Sequence, residues 1–348
     1  MNHFPKRLRK AARHPRAALR RSLRLHAAYL ACALAAGAAG VTGAHAATPF
    51  TLVTNWYAQA EHGGFYQAQA EGLYKSAGLD VTLRMGGPQV NAVQLLAANT
   101  AQCIISDDIS TMNARAHGVP VKLVATSFQH DPTVLIAHDD VPDLKALRTR
   151  TLLASSNAYA SWLPWAKSTL GFKDDQVRPY TFNLQPFMSS DKIAQQGYLT
   201  SEPFALAQAG VKFKVFALSD AGYPPYGNAI ACRSDVIAQH PDEVAAFLQA
   251  SMQGWKDYLS NPAAGNALIR KENPNMSEAQ LTWAVGQLKS SGLVMGGDAV
   301  KGGIGVITEL RLKASWNMAV KQGLIDSKAV RLDQFYTTSL ITRHPVLP

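Results

Sequence analysis

Cysteine is scarce. The chain has three in 348 residues, and only Cys103 and Cys232 lie beyond residue 46. Neither has a second cysteine or a histidine at metal-ligand spacing, so no zinc site or C-x-x-C redox pair can be read. Catalytic signatures are missing too. There is no G-x-S-x-G elbow, no phosphate-cradling G-x-x-x-x-G-K-[ST] loop and no H-E-x-x-H pair. No segment beyond the first 46 residues reaches 18 apolar residues without a charge, which excludes a membrane-spanning helix there. A basic face is missing as well, despite a formal net charge of +10. Nine of the 34 basic residues and none of the 24 acidic ones fall in residues 1–46. The rest therefore carries 25 against 24, and no nucleic-acid partner is called for.

Residues 1–46 have the order of a processing signal: a basic stretch, the apolar run Ala27–Val41, then Ala44-His45-Ala46. Cleavage after Ala46 is expected, giving a periplasmic product. Arg20-Arg21 leaves twin-arginine export open, with general secretion the simpler route. At 47% hydrophobic and 17% charged, the remainder is globular and large enough for about two units. From Thr51, short β-branched runs alternate with helical stretches, the pattern of an α/β fold with largely parallel sheets. Strands are expected at Phe50–Asn55, Leu79–Arg84, Cys103–Ser106, Val121–Ser127, Thr133–His138, Thr151–Ala154, Val177–Phe182, Val211–Leu218 and Asn228–Cys232. Helices are expected at Gly63–Ala77, Val90–Ala98, Ile109–His117, Tyr159–Leu170, Asp242–Ser260, Ser277–Ser290 and around Leu310–Gln322. Tyr223-Pro224-Pro225-Tyr226-Gly227 interrupts the alternation and suits a chain crossing between lobes. Cys103 and Cys232 both sit in strand-like runs. Buried free thiols are the simpler reading, and a disulfide is the alternative in an oxidising compartment.

In open α/β sheets, ligands sit where strand C-termini pass into helices. That rule selects Asn55 and Trp56 with His62 opening the helix that follows, Gly86 after the second strand, and Ser106 and Asp107 after the third. It also selects Gln129 after the fourth strand, Ser155 and Asn157 in the second lobe, and Glu202 between two apolar runs. Tyr226 joins them as a ring that could sandwich a ligand. Each has a plainer reading: Trp56 as core, Gly63-Gly64 as close helix–sheet packing, Asp107, Asp108 and Ser155 as helix caps, Glu202 as half of a salt bridge. The set holds no Lys or Arg, which suits a neutral or cationic ligand over an anion.

Asn55-Trp56, Glu61-His62-Gly63-Gly64-Phe65-Tyr66-Gln67-Ala68, Gly72-Leu73-Tyr74-Lys75 and Ser201-Glu202-Pro203-Phe204 resemble the periplasmic solute-binding proteins of ABC importers. The branch resembled is the superfamily that binds thiamine-pyrimidine precursors, sulfonates and nitrate. The resemblance implies a type II periplasmic-binding fold: two doubly wound α/β lobes joined by two crossing segments. Residues 47–128 and 227–348 would form lobe I, and 129–226 lobe II with its hinges. It further implies a monomer without cofactor that is not an enzyme. Such a protein hands a small planar nitrogen heteroaromatic to a permease and ATPase, with Asn55, Trp56, His62, Tyr66 and Glu202 touching it. The alternatives are a sulfonate- or nitrate-type anion binder, or an enzyme like the fungal pyrimidine-precursor synthases.

Overall fold

Strand β1 (Thr48–Val53) buries Phe50, Leu52 and Val53, and its neighbours β2 (Leu79–Arg84) and β3 (Cys103–Ser106) run parallel to it. In the computed structural model, which describes Met1, His3 and residues 47–87 and 89–348, these strands belong to a five-stranded sheet of order β2-β1-β3-β10-β4. Here β4 is Val121–Phe128 and β10 is Gly227–Arg233. A second sheet has the order β7-β6-β8-β5-β9. Its strands are β5 (Thr133–His138), β6 (Thr151–Ala154), β7 (Val177–Pro179), β8 (Ile193–Tyr198) and β9 (Phe213–Ala217). Apart from Met1 and His3, the leader read over residues 1–46 lies outside the described residues, as does Pro88 of the Gly86-Gly87-Pro88 turn.

The sheets are largely parallel in strand direction, as expected, but each is mixed: four strands run one way and one is reversed. In the first, β10 is antiparallel to β3 and β4; in the second, β5 is antiparallel to β8 and β9. The cause is connectivity. β5 and β10 are the strands that enter from the other sheet without an intervening helix, so each begins where its neighbours end. Thr133 pairs with Tyr198, and Gly227 with Phe128. The C-terminal ends of the parallel strands in both sheets therefore border the two crossing segments. These segments pack tightly: Asp131 N donates to Pro225 O at 3.1 Å, and a Cβ on Gly227 would come within 2.6 Å of Pro132.

Several expected elements change. The helix expected over Gly63–Ala77 breaks into Gly63–Ala70 and Leu73–Ser76, because Gly72 takes a left-handed φ of +71°. Gly63 and Gly64 do serve close packing, but against the helix Pro241–Ser260 and not the sheet. A Cβ on either would stand 2.0 Å from the Tyr258 ring or 2.2 Å from Trp255. The strand expected to reach Phe182 stops at Pro179, opposite Ala154, where its partner β6 ends. β8, the central strand of the second sheet, is absent from the sequence reading, because Gln195-Gln196-Gly197 hides its apolar pattern. The helices Glu202–Gln208 and Ala263–Glu272 are likewise absent from it.

Cys103 and Cys232 are joined in a disulfide, which overturns the free-thiol reading. They lie directly opposite each other on β3 and β10 with Cα atoms 4.0 Å apart, a juxtaposition that strand-level reading could not supply.

Candidate functional site

At the end of β1 the chain turns through Thr54–Tyr57 into a short 3-10 turn, Ala60–His62, that feeds the helix Gly63–Ala70. A chain of hydrogen bonds fixes this region. The Glu61 backbone carbonyl can only accept, so Asn228 presents its Nδ2 to it at 2.9 Å. The Asn228 Oδ1 then accepts from Asn55 Nδ2 at 3.3 Å, which leaves Asn55 Oδ1 facing His62 Nε2 at 2.8 Å. His62 must therefore donate from Nε2 and keep a bare lone pair on Nδ1. Burial pushes its pKa down to about 3, so the ring is neutral near pH 7. Nδ1 has no partner among the described residues.

From this first-sheet platform, two contacts reach the chain of the second sheet. The Thr200 hydroxyl, in the turn after β8, donates to the Glu61 carboxylate. The half-buried Trp56 indole meets the Phe182 ring at a centroid distance of 5.2 Å. Tyr57 stands edge-on to Trp56 at 5.6 Å, and Tyr180 lies 5.2 Å from Phe182, so four rings run together. Phe182 is 56% exposed and has φ of +61°, a conformation unusual for a bulky side chain.

The surroundings are acidic. Glu202, at the start of the helix Glu202–Gln208, accepts from Tyr180 OH at 3.1 Å and from Tyr198 N at 2.7 Å. Burial raises its pKa, and burial lifts Glu61 to about 7, Asp108 to about 7 and Asp131 to about 6. Tyr198, at the end of β8, is pushed well above its ordinary value, first by burial and then by the charges of Asp131, Glu61, Asp107 and Glu202. None of Glu61, Asp107, Asp108, Asp131 and Glu202 is ion-paired among the described residues. The salt bridge considered for Glu202 is thus replaced by a tyrosine and a backbone amide.

Asn55, Trp56, His62 and Glu202 join this cluster. Gly86 supports it from beneath: its N–H donates to Thr54 Oγ1 at 2.9 Å, and a Cβ there would strike Thr54 O at 2.1 Å. The other selected residues are occupied elsewhere. Asp107 caps the helix Asp108–Ala116, accepting from Ser110 N at 2.8 Å, while Ser106 accepts from Thr111 Oγ1 at 3.0 Å. Ser155 N donates to Gln196 Oε1 at 2.9 Å, and exposed Asn157 offers its carbonyl to Ser161. Gln129 is held in the first crossing, with N donating to Leu293 O and Nε2 to Val306 O. Tyr66 is sealed in the first core with its hydroxyl unpartnered. Tyr226 is fully buried in the second crossing: its hydroxyl donates to Asp298 at 3.1 Å and Arg311 lies 4.0 Å over its ring. That ring braces the crossing and is not free to sandwich a ligand.

Sequence reading missed Tyr180, Phe182 and Asn228, and met Glu61 only as part of a family motif; Thr200 stood in the run Thr200–Phe204 that the strand-end rule selects. Ending the strand at Pro179 would have let the strand-end rule select Tyr180 and Phe182. Asn228 carries no such signal, since its role comes from β10 entering beside β3.

Two sheets of this topology, with strand ends meeting at paired crossings, define a periplasmic-binding-protein fold. Solved structures bear this out. The periplasmic aliphatic sulphonate binding protein SsuA from Escherichia coli superposes with a TM-score of 0.65 at 11% identity, covering 86% of this chain and 93% of that one. The desulfurization enzyme DSZB does so with a TM-score of 0.57 at 15% identity, covering 84% and 97%. At these identities the likeness is one of fold alone. The pattern of the family described as NMT1/THI5 like matches residues 59–265, and the chain belongs to that family. A curated relative, the riboflavin-binding protein RibY of Chloroflexus aurantiacus, is 26% identical over 221 residues. That match covers 61% of this chain and 63% of the relative's length. Among the described residues, no helix is long and apolar enough to cross a membrane, and no group of three or more His, Cys, Asp or Glu is placed to hold a metal ion.

Proposed function

We propose that the chain is the periplasmic substrate-binding component of an ABC importer. It takes up a small planar nitrogen heteroaromatic and delivers it to a membrane permease without altering it. Residues 47–128 with 227–348 act as one lobe and 129–226 as the other, and the ligand is held where Trp56 of the first meets Phe182 of the second.

The aromatic pair across the two sheets is the observation that carries this reading. A flat ring that replaces the direct Trp56–Phe182 contact, once the two side chains part to admit it, stacks on both, at about 0.5–1.5 kcal/mol per pair beyond burial. The acids beside it, Glu202 foremost, accept from ring or exocyclic N–H groups, each such bond contributing roughly 1.5–3 kcal/mol. Thiamine-pyrimidine precursors and flavins both present that chemistry, and a riboflavin-binding relative is in keeping with it. An anion meets the opposite situation, since enclosing it among unpaired carboxylates is unfavourable. The sulphonate binder and the desulfurization enzyme share the fold, yet this cluster offers no cation to a sulfonate.

Thermal-shift screening of aminopyrimidines, flavins, alkanesulfonates and nitrate, repeated with Glu202→Ala, tests the reading. A heteroaromatic hit weakened about ten- to a hundredfold by Glu202→Ala is expected. Stabilisation by a sulfonate that survives Glu202→Ala would refute it, and recovery of a chemically altered ligand would transfer the protein to the enzymes.

A further inference from the structure

Gln195 sits in the middle of β8, paired with Leu153 on one side and Ile136 on the other, and is fully buried. Neither Nε2 nor Oε1 has a well-formed hydrogen bond among the described residues. Its neighbour Gln196, on the opposite face of the strand, is satisfied by Ser155 N at 2.9 Å. A buried primary amide with both atoms idle is destabilising, and native proteins seldom keep one without use.

Its surroundings point to the use. Gly197, on the same face two residues on, leaves room for Glu202: a Cβ there would stand 3.2 Å from Glu202 Cβ and 3.4 Å from its Oε2. The Tyr180 hydroxyl donates to Glu202 Oε1 at 3.1 Å and lies beside the Gln195 amide, with which it makes at most a marginal hydrogen bond. Tyr180 in turn packs on Phe182, which meets Trp56. Gln195, Tyr180 and Glu202 thus form a polar nest continuous with the aromatic pair.

We propose that Gln195 is a specificity-determining ligand contact, an inference that rests on the heteroaromatic-binding reading above. Its amide pairs in two-point fashion with a ring edge that carries a donor beside an acceptor, as amides do with nucleobase edges. An imide N–H next to a carbonyl, or an exocyclic amine next to a ring nitrogen, satisfies both amide atoms. A sulfonate offers acceptors only. It leaves Oε1 unpaired and brings its charge against Glu202, so the same residue that selects the heterocycle rejects the anion.

The test uses lumiflavin, 4-amino-2-methylpyrimidine and ethanesulfonate as probes, with wild type, Gln195→Leu and the longer-chained Gln195→Met. The inference expects the heterocycle that binds wild type to bind both variants roughly tenfold or more weakly. It also expects the ligand-free melting temperature of the variants to be unchanged or raised, because an idle buried amide is exchanged for an apolar side chain. Variants that bind the heterocycle as tightly as wild type overturn the inference and leave the transport reading intact. A lowered melting temperature in both variants assigns the amide to the fold and also overturns it. If neither heterocycle binds wild type, the reading and the inference fall together.

Discussion

The Trp56 indole and the Phe182 ring lie with centroids 5.2 Å apart and planes tilted by 41°, although one follows β1 of the first sheet and the other follows β7 of the second. Phe182 is held in left-handed backbone and largely exposed, so its own core contacts do not account for its position. Removing either ring takes one wall from the ligand. Trp56→Ala and Phe182→Ala should each weaken heteroaromatic binding by about 2 kcal/mol, roughly thirtyfold, with little change in ligand-free melting temperature for Phe182→Ala. Titration calorimetry and thermal denaturation of the two variants check this.

The Glu61–Thr200 contact makes binding sensitive to pH. Burial raises the Glu61 carboxyl from its ordinary 4.5 to about 7 in the arrangement where it meets Thr200. If the halves part when empty, water restores the ordinary value, so closure takes up a proton between those limits. The sign follows: the closed form is fully favoured below about 4.5, loses ground as pH rises toward 7, and changes no further above it. Glu202, raised in the same sense, adds to the trend. Affinity measured from pH 5 to pH 8 should fall with rising pH and then level off, and Glu61→Gln should flatten the profile. An affinity that climbs with pH contradicts the assignment.

The Cys103–Cys232 bond joins β3 to β10 across 129 residues of sequence, a stretch that includes the entire second sheet. It therefore pins the returning strand into the first sheet. The double variant Cys103→Ala with Cys232→Ala should lose about 2–5 kcal/mol of stability. Chemical denaturation should show the loss. A midpoint equal to wild type would mean the bond adds nothing.

Legibility in the sequence followed the physics of each element. β2, β3, β5 and β6 were readable to the residue because their apolar runs are bounded by turns, and Asn55, Trp56, His62 and Glu202 because they stand at strand ends or in an unusual apolar setting. β8 was not readable, since its Gln-Gln-Gly centre breaks the alternation, and those same polar residues place Gln195 at the polar nest. Tyr226 looked like a ligand ring by composition. Only the tertiary fold shows Arg311 covering it. The disulfide and the antiparallel entries of β5 and β10 depend on which strands become neighbours, a non-local fact that periodicity does not carry.

The central claim is that the Trp56–Phe182 pair parts to hold a flat nitrogen heterocycle in preference to an anion. Titration calorimetry of residues 47–348 with lumiflavin, 4-amino-2-methylpyrimidine and ethanesulfonate in the same buffer measures that preference directly. The account predicts that at least one heterocycle binds about a hundredfold or more tightly than ethanesulfonate, a difference of roughly 3 kcal/mol. Ethanesulfonate binding more tightly than both heterocycles would contradict it.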